Sequence, residues 1–90
     1  MLIALMAKDK SGALQTRKDN RDAHLAYIAE TGVVAQAGPL LDSDGQMAGS
    51  LVILDVADMQ AAESWAAKDP YALAGLFESV TLTRWNKVIG

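Results

Sequence analysis

Ninety residues with a formal net charge of −3, 21% charged side chains and no cysteine describe one small folded domain (residues 1–90), because domains usually run to on the order of 100 residues and a second core would not fit. A disulfide scaffold and a cysteine-ligated metal site are excluded, and 51% hydrophobic residues with only two prolines exclude disorder as the main state. The acidic balance argues against nucleic acid as a partner, since such binders carry a basic face that displaces counterions.

Leu2 to Ala7 is short, continuous and apolar, and the charged, turn-rich Lys8 to Gly12 follows it, which predicts a buried strand and a loop. Its positive charges come after the apolar run rather than before it, so it does not read as a secretory signal. No apolar run approaches the ~20 residues that span a bilayer. The expectation is a soluble, cytoplasmic protein with no membrane partner. From Leu14 to Thr31 the spacing turns helical, with Leu14, Arg17, Arg21, His24, Leu25 and Ile28 at steps of three and four and Gly32 at the C-cap position. Val33 to Leu41 is a second strand, and Gly38-Pro39 within it predicts an edge position or a bulge, because proline cannot donate to a ladder. Asp44-Gly45 supplies a hairpin turn, and Ala48 to Val56 returns as the third strand.

Asp58 caps an Ala-rich helix running to about Lys68, with Met59, Ala62, Trp65 and Ala66 on its apolar stripe. Asp69-Pro70 ends that helix and starts a short second piece, Pro70 to Ala74, with Asp69 as N-cap and Pro70 at the first helical position. Phe77 to Val88 alternates, with Val80 and Leu82 on one face and Phe77, Thr81, Thr83 and Trp85 on the other, which predicts the last strand. Trp65 and Trp85 are both read as core.

The order β-α-β-β-α-β is the α+β, ferredoxin-like arrangement of a four-stranded antiparallel sheet. Right-handed crossovers put the first and third strands in its middle. These two are apolar at odd and even positions alike, as strands covered on both faces should be. Both helices lie on one face, however, so one protomer leaves the other open. At about 25 cal/mol per Å², a few hundred Å² of exposed apolar sheet is worth several kcal/mol, so the expected assembly is a homodimer packed through its sheet faces.

The chain's single histidine is the natural acid or base near neutral pH. Arg21, His24 and Ile28 share one helical stripe, with Arg17 a turn earlier. Asp69 serves either as a helix cap alone or as a cap whose carboxylate also reaches an imidazole, and His24 is either a satisfied, half-buried side chain or a functional one. Lys8 to Arg21 carries five of the eight basic residues and two acids, which suits a solvated helix face or an anion-attracting mouth. No glycine-rich phosphate loop opens a helix, Gly49-Ser50 lacks the flanks of a nucleophile elbow, and no carboxylates show metal-ligand spacing. Neither a metal nor another cofactor is expected.

Arg21-Asp22-Ala23-His24-Leu25, Ala37-Gly38-Pro39-Leu40, Gly49-Ser50, Asp69-Pro70-Tyr71, Gly75-Leu76-Phe77 and the closing Trp85 together resemble the YciI-like, or YCII-related, domain family over nearly the whole chain. The resemblance implies a ferredoxin-like protomer pairing as a dimeric α+β barrel, with an active site on a histidine and an aspartate that fall here at His24 and Asp69. Some relatives take part in breaking down chlorinated aromatic compounds, and the barrel is similar to that of muconolactone isomerases. The resulting expectation is a His/Asp acid-base enzyme, isomerase-, lyase- or dehalogenase-like, acting on a small polar or anionic cyclic compound between the sheet and the first helix. Arg17 or Arg21 would hold the anionic group, and Gly38, Pro39, Ser50 and Tyr71 complete the substrate contacts. The competing readings are a non-catalytic ligand-binding or accessory dimer, which needs no paired His and Asp, and a purely structural dimer, which needs no pocket.

Overall fold

The computed structural model describes residues 1–90 as β1 (Leu2–Asp9), α1 (Leu14–Asp19), α2 (Arg21–Thr31), β2 (Val34–Leu41), β3 (Met47–Asp55), α3 (Met59–Lys68), α4 (Pro70–Leu73) and β4 (Phe77–Trp85). The strands form one antiparallel sheet in the order β2-β3-β1-β4, the ferredoxin-like arrangement expected from the sequence. In β1 and β3 the inward register is apolar at Ile3, Leu5 and Ala7 beside Leu54 and Val52, and turns polar at Ser50, which faces Ala7. Ile3, Leu5, Ala7, Val52 and Leu54 bury themselves against Ala62 and Trp65 of α3, with Tyr27 and Ile28 of α2 packed on the same cluster. Tyr27 donates to the Trp65 carbonyl at 2.8 Å and Trp65 Nε1 to Thr31 Oγ1 at 2.9 Å, which ties α2 to α3.

Local chemistry sets the boundaries. Asp58 accepts from the Ala61 N–H at 2.8 Å and starts α3. Gly32 takes φ 67° at the C-cap of α2, a conformation that favours glycine. β2 lies at the sheet edge, as Gly38-Pro39 predicted, and breaks register twice, between Val34 and Gln36 and between Leu40 and Leu41. At Gly49 the two central strands approach so closely that a Cβ would run into the Ala7 carbonyl oxygen. The third strand therefore needs glycine at that point.

Four details depart from the sequence reading. The first helix is two helices, because Asn20 leaves helical geometry (φ −109°, ψ 6°) and its side chain donates to the Thr16 carbonyl at 2.9 Å, competing with the backbone ladder. β4 stops at Trp85, whose partner Leu2 is the first residue of β1, so nothing remains for later residues to pair with. Phe77 sits on the helix side with Val80 and Leu82, because a bulge pairs Lys8 with Ser79 but Asp9 with Phe77 and reverses the alternation. Trp85 is not core. It lies on the face without helices, 40% exposed, in register with Leu2 and on the side of Met6, which is 47% exposed. No helix is long and apolar enough to cross a membrane.

Candidate functional site

Alternation along β1 carries Ile3, Leu5, Ala7 and finally Asp9 to the helix side, so a carboxylate ends a row of core positions. Asp9 is 8% exposed. Both its oxygens accept from Arg17 of α1, Oδ2 from Nε at 2.7 Å and Oδ1 from Nη2 at 2.9 Å, a two-point fork that fits guanidinium to carboxylate. Nη2 also donates to Ser50 Oγ at 2.8 Å. Burial alone would lower the Arg17 pKa, but the hydrogen bonds and charge of Asp9 outweigh it and hold the guanidinium above its usual range. Arg17 is thus a fixed cation, already neutralised by a partner.

The second half of the site comes from Asp69-Pro70-Tyr71. Pro70 occupies the first position of α4, and Asp69 Oδ1 caps it by accepting from the Tyr71 N–H at 3.0 Å. The same oxygen lies 2.7 Å from His24 Nδ1, so capping and contact with the imidazole are one arrangement. Tyr71 stacks on the His24 ring with centroids 3.9 Å apart and planes 14° from parallel. The Arg17 guanidinium carbon stands 4.7 Å from the Tyr71 ring centroid, and Phe77 meets that ring edge-on at 6.0 Å. Burial pushes the Tyr71 hydroxyl pKa up, with the Arg17 and Arg21 cations pulling the other way.

These groups surround a cavity of about 150 Å³ between α1, α2, β2 and β3, whose polar wall is Arg17, Arg21, His24, Ser50 and Tyr71. Leu25, Ile28, Ala37, Pro39, Met47 and Val52 form the apolar remainder, with Gly38 at the β2 side. His24 Nε2 has no protein partner, and no fully buried side-chain nitrogen or oxygen is left unpaired, so Nε2 opens onto this space. The same reasoning opens Arg17 Nη1 to it. A larger cleft, of about 400 Å³, lies where the loop after β1 meets the β2–β3 hairpin. Its exposed charges, such as the Lys8–Glu78 pair at 3.3 Å, are surface groups, and its one buried charge, Asp9, is committed to Arg17. The smaller cavity holds the organised chemistry, because buried charges are costly and collect where they are used.

Of the residues singled out from the sequence, Arg17, Arg21, His24, Gly38, Pro39, Ser50 and Tyr71 line this one cavity, and Asp69 stands behind His24, 1% exposed. Arg21, unlike Arg17, is exposed and has no ion pair. Sequence reasoning missed Asp9, whose signal was available: it continues the inward register of Ile3, Leu5 and Ala7.

Residues 1–86 match the profile of the YCII-related domain. The chain belongs to that family. Among its members, the YciI proteins of Escherichia coli O6:H1 and Shigella flexneri are each 37% identical to it, over 98% of this chain and 99% of theirs. A solved structure from Burkholderia phenoliruptrix AC1100, the 5-chloro-2-hydroxyhydroquinone dehydrochlorinase TftG in complex with 2,5-dihydroxybenzoquinone, is 35% identical and superposes with a TM-score of 0.89 over 96% of this chain and 94% of that one. A solved structure from Bacteriodes thetaiotaomicron VPI-5482 shares the fold alone, at 11% identity and a TM-score of 0.61 over 99% of this chain and 90% of that one.

Proposed function

We propose that this chain is a small-molecule enzyme in which His24 moves a proton on a small cyclic compound bearing a polar or anionic oxygen, while Asp69 orients the imidazole. The carrying observation is the 2.7 Å contact of His24 Nδ1 with Asp69, with Nε2 free toward the cavity. An ionised carboxylate only accepts, so Nδ1 carries the proton and Nε2 presents its lone pair as a base. Once Nε2 is protonated, the carboxylate steadies the imidazolium, which returns the proton as an acid. The cavity, about 150 Å³, matches in volume one that takes up benzene, and exposed Arg21 at the edge adds a cation for an anionic substituent. The likeness to a dehydrochlorinase supports a hydroxylated, halogenated ring as substrate class. Loss of HCl from such a ring asks one acid-base group to carry a hydroxyl proton to the chlorine-bearing carbon, giving the keto form. The same group then takes a second hydroxyl proton as chloride leaves with its bonding pair and the quinone forms.

The protein works, in this reading, in the cytoplasm as a homodimer whose helix-free sheet faces pack together. Support comes from Met6 and Trp85 lying exposed on that face. Chloride release from 5-chloro-2-hydroxyhydroquinone, and exchange of ring protons for deuterium across a series of hydroxylated aromatic compounds, test the reaction. His24→Ala is expected to slow either by about 10²- to 10⁴-fold. Equal rates in wild type and variant would overturn the catalytic assignment, and binding of 2,5-dihydroxybenzoquinone without turnover would make the chain a ligand-binding module.

A further inference from the structure

We infer that Asp9 is a positioning residue which, through Arg17, fixes the Ser50 hydroxyl as hydrogen-bond donor to an ionised ring oxygen of the ligand in the cavity. The inference rests on the cavity being the ligand site. Asp9 does not line that cavity, and both its oxygens are spent on one guanidinium. Its influence therefore passes through Arg17. A guanidinium has donors and no acceptor, so the 2.8 Å contact from Arg17 Nη2 obliges Ser50 Oγ to accept. The Ser50 proton is then free to point elsewhere, and it has no acceptor in the protein. Ser50 is 3% exposed, and the surface it retains belongs to the cavity wall. An oxygen placed there receives that proton. Arg17 Nη1, which opens to the same space, supplies a second donor.

Because Asp9 cancels the Arg17 charge, this subsite acts through direction more than through net charge. It favours an oxygen with free lone pairs and full negative charge over the same oxygen methylated. A hydroxyl left unanchored could turn and accept instead, and that preference would fade.

The test uses the full chain with 4-nitrophenol, at a pH where it is ionised, and its methyl ether 4-nitroanisole, reading the ratio of the two dissociation constants by calorimetry. Ser50→Ala is expected to reduce the preference for the phenolate about tenfold, as for loss of a hydrogen bond to a charged group. In an Asp9→Asn background the same substitution should change the ratio by no more than about twofold, the scatter expected of uncoupled sites. Arg17→Lys keeps the charge but cannot span Asp9 and Ser50, and it serves as the second background should Asp9→Asn fail to fold. A tenfold effect of Ser50→Ala that persists in the folded background makes Asp9 merely structural and overturns the inference. So does a Ser50→Ala protein with the wild-type ratio, which would leave the His24–Asp69 reading standing. A wild type that takes up neither compound overturns the inference and leaves the His24–Asp69 reading to its own test with 5-chloro-2-hydroxyhydroquinone.

Discussion

Replacing Asp9 with alanine removes both acceptors of the Arg17 fork, at 2.7 and 2.9 Å, from a side chain only 3% exposed. The cation cannot escape by losing its proton, because Arg17 stays protonated far above neutral pH. Breaking a buried ion pair from one side typically costs about 3–5 kcal/mol. At roughly 0.05–0.15 kcal/mol per residue, a domain of this length holds about 5–13 kcal/mol in all, so the variant should keep only a small margin. With a urea m-value near 1 kcal/mol/M, the unfolding midpoint should fall by about 3 M or more, or the protein should be unfolded at the outset. Fluorescence of Trp65, 5% exposed in the core, follows the transition. The pair itself is a different matter from the broken pair. Asp9→Leu with Arg17→Met fills similar space without charge and should recover most of the loss, or exceed wild type by about 1–4 kcal/mol. A loss below about 1 kcal/mol for Asp9→Ala, the worth of an exposed pair, would mean that water reaches Arg17 and would refute the reasoning. A double variant as weak as the single one would place the loss in repacking.

Gly49→Ala must part the two central strands at the Ala7 carbonyl and should cost about 1–3 kcal/mol, whereas Gly38→Ala meets nothing within 4 Å and should leave the melting temperature near wild type. Burial raises the pKa of both Tyr71 and Tyr27 above the ordinary 10.0. The folded state then keeps its tyrosine protons when the unfolded chain sheds them, so stability is constant below about pH 10 and declines as pH rises toward the folded values. Urea midpoints measured from pH 9 upward should show that decline, and Tyr71→Phe or Tyr27→Phe should flatten it. An undiminished slope in the double variant would assign it elsewhere. Met6→Glu puts a charge on the helix-free face and should shift the proposed homodimer to monomer in sedimentation, while a monomeric wild type would remove the dimer from the reading.

The strand order is legible in the sequence because burial leaves a trace: β1 from Leu2 to Ala7 and β3 from Leu51 to Leu54 are apolar at every step, and Pro39 marks an edge. The Asp69-Pro70-Tyr71 turn is legible because proline and a capping acid have fixed positional preferences. Two features depend on another element, β1 for Phe77 and α1 for Asp9, although the alternation of β1 by itself already points Asp9 inward. Phe77 changes face only because β1 and β4 slip by one residue past Lys8. Asp9 matters only because Arg17 folds back over the end of β1, and in the sequence it stands between two lysines that mark it as surface. The break at Asn20 is a local competition between side chain and backbone for the Thr16 carbonyl, too small an effect for hydrophobic spacing to register.

Asp69 posed a choice between a helix cap alone and a cap whose carboxylate also reaches an imidazole, and the geometry shows the second. One oxygen accepts from the Tyr71 backbone and contacts His24, while the ring carried by that capped tyrosine stacks on the same imidazole. Replacing Asp69 with asparagine keeps an oxygen for the cap, yet its amide also offers donors where the carboxylate offers none. With that oxygen on the Tyr71 N–H it still accepts from Nδ1 as well, because one oxygen serves both, but a neutral amide no longer steadies the imidazolium that forms when Nε2 takes a proton. The α4 cap and overall stability should therefore suffer less than any base-dependent turnover, and the deficit should appear in kcat at unchanged fold. Asp69→Ala removes cap and orientation together and should lower both. Parallel losses of stability and turnover in Asp69→Asn would reduce the carboxylate to a cap that happens to lie beside a histidine.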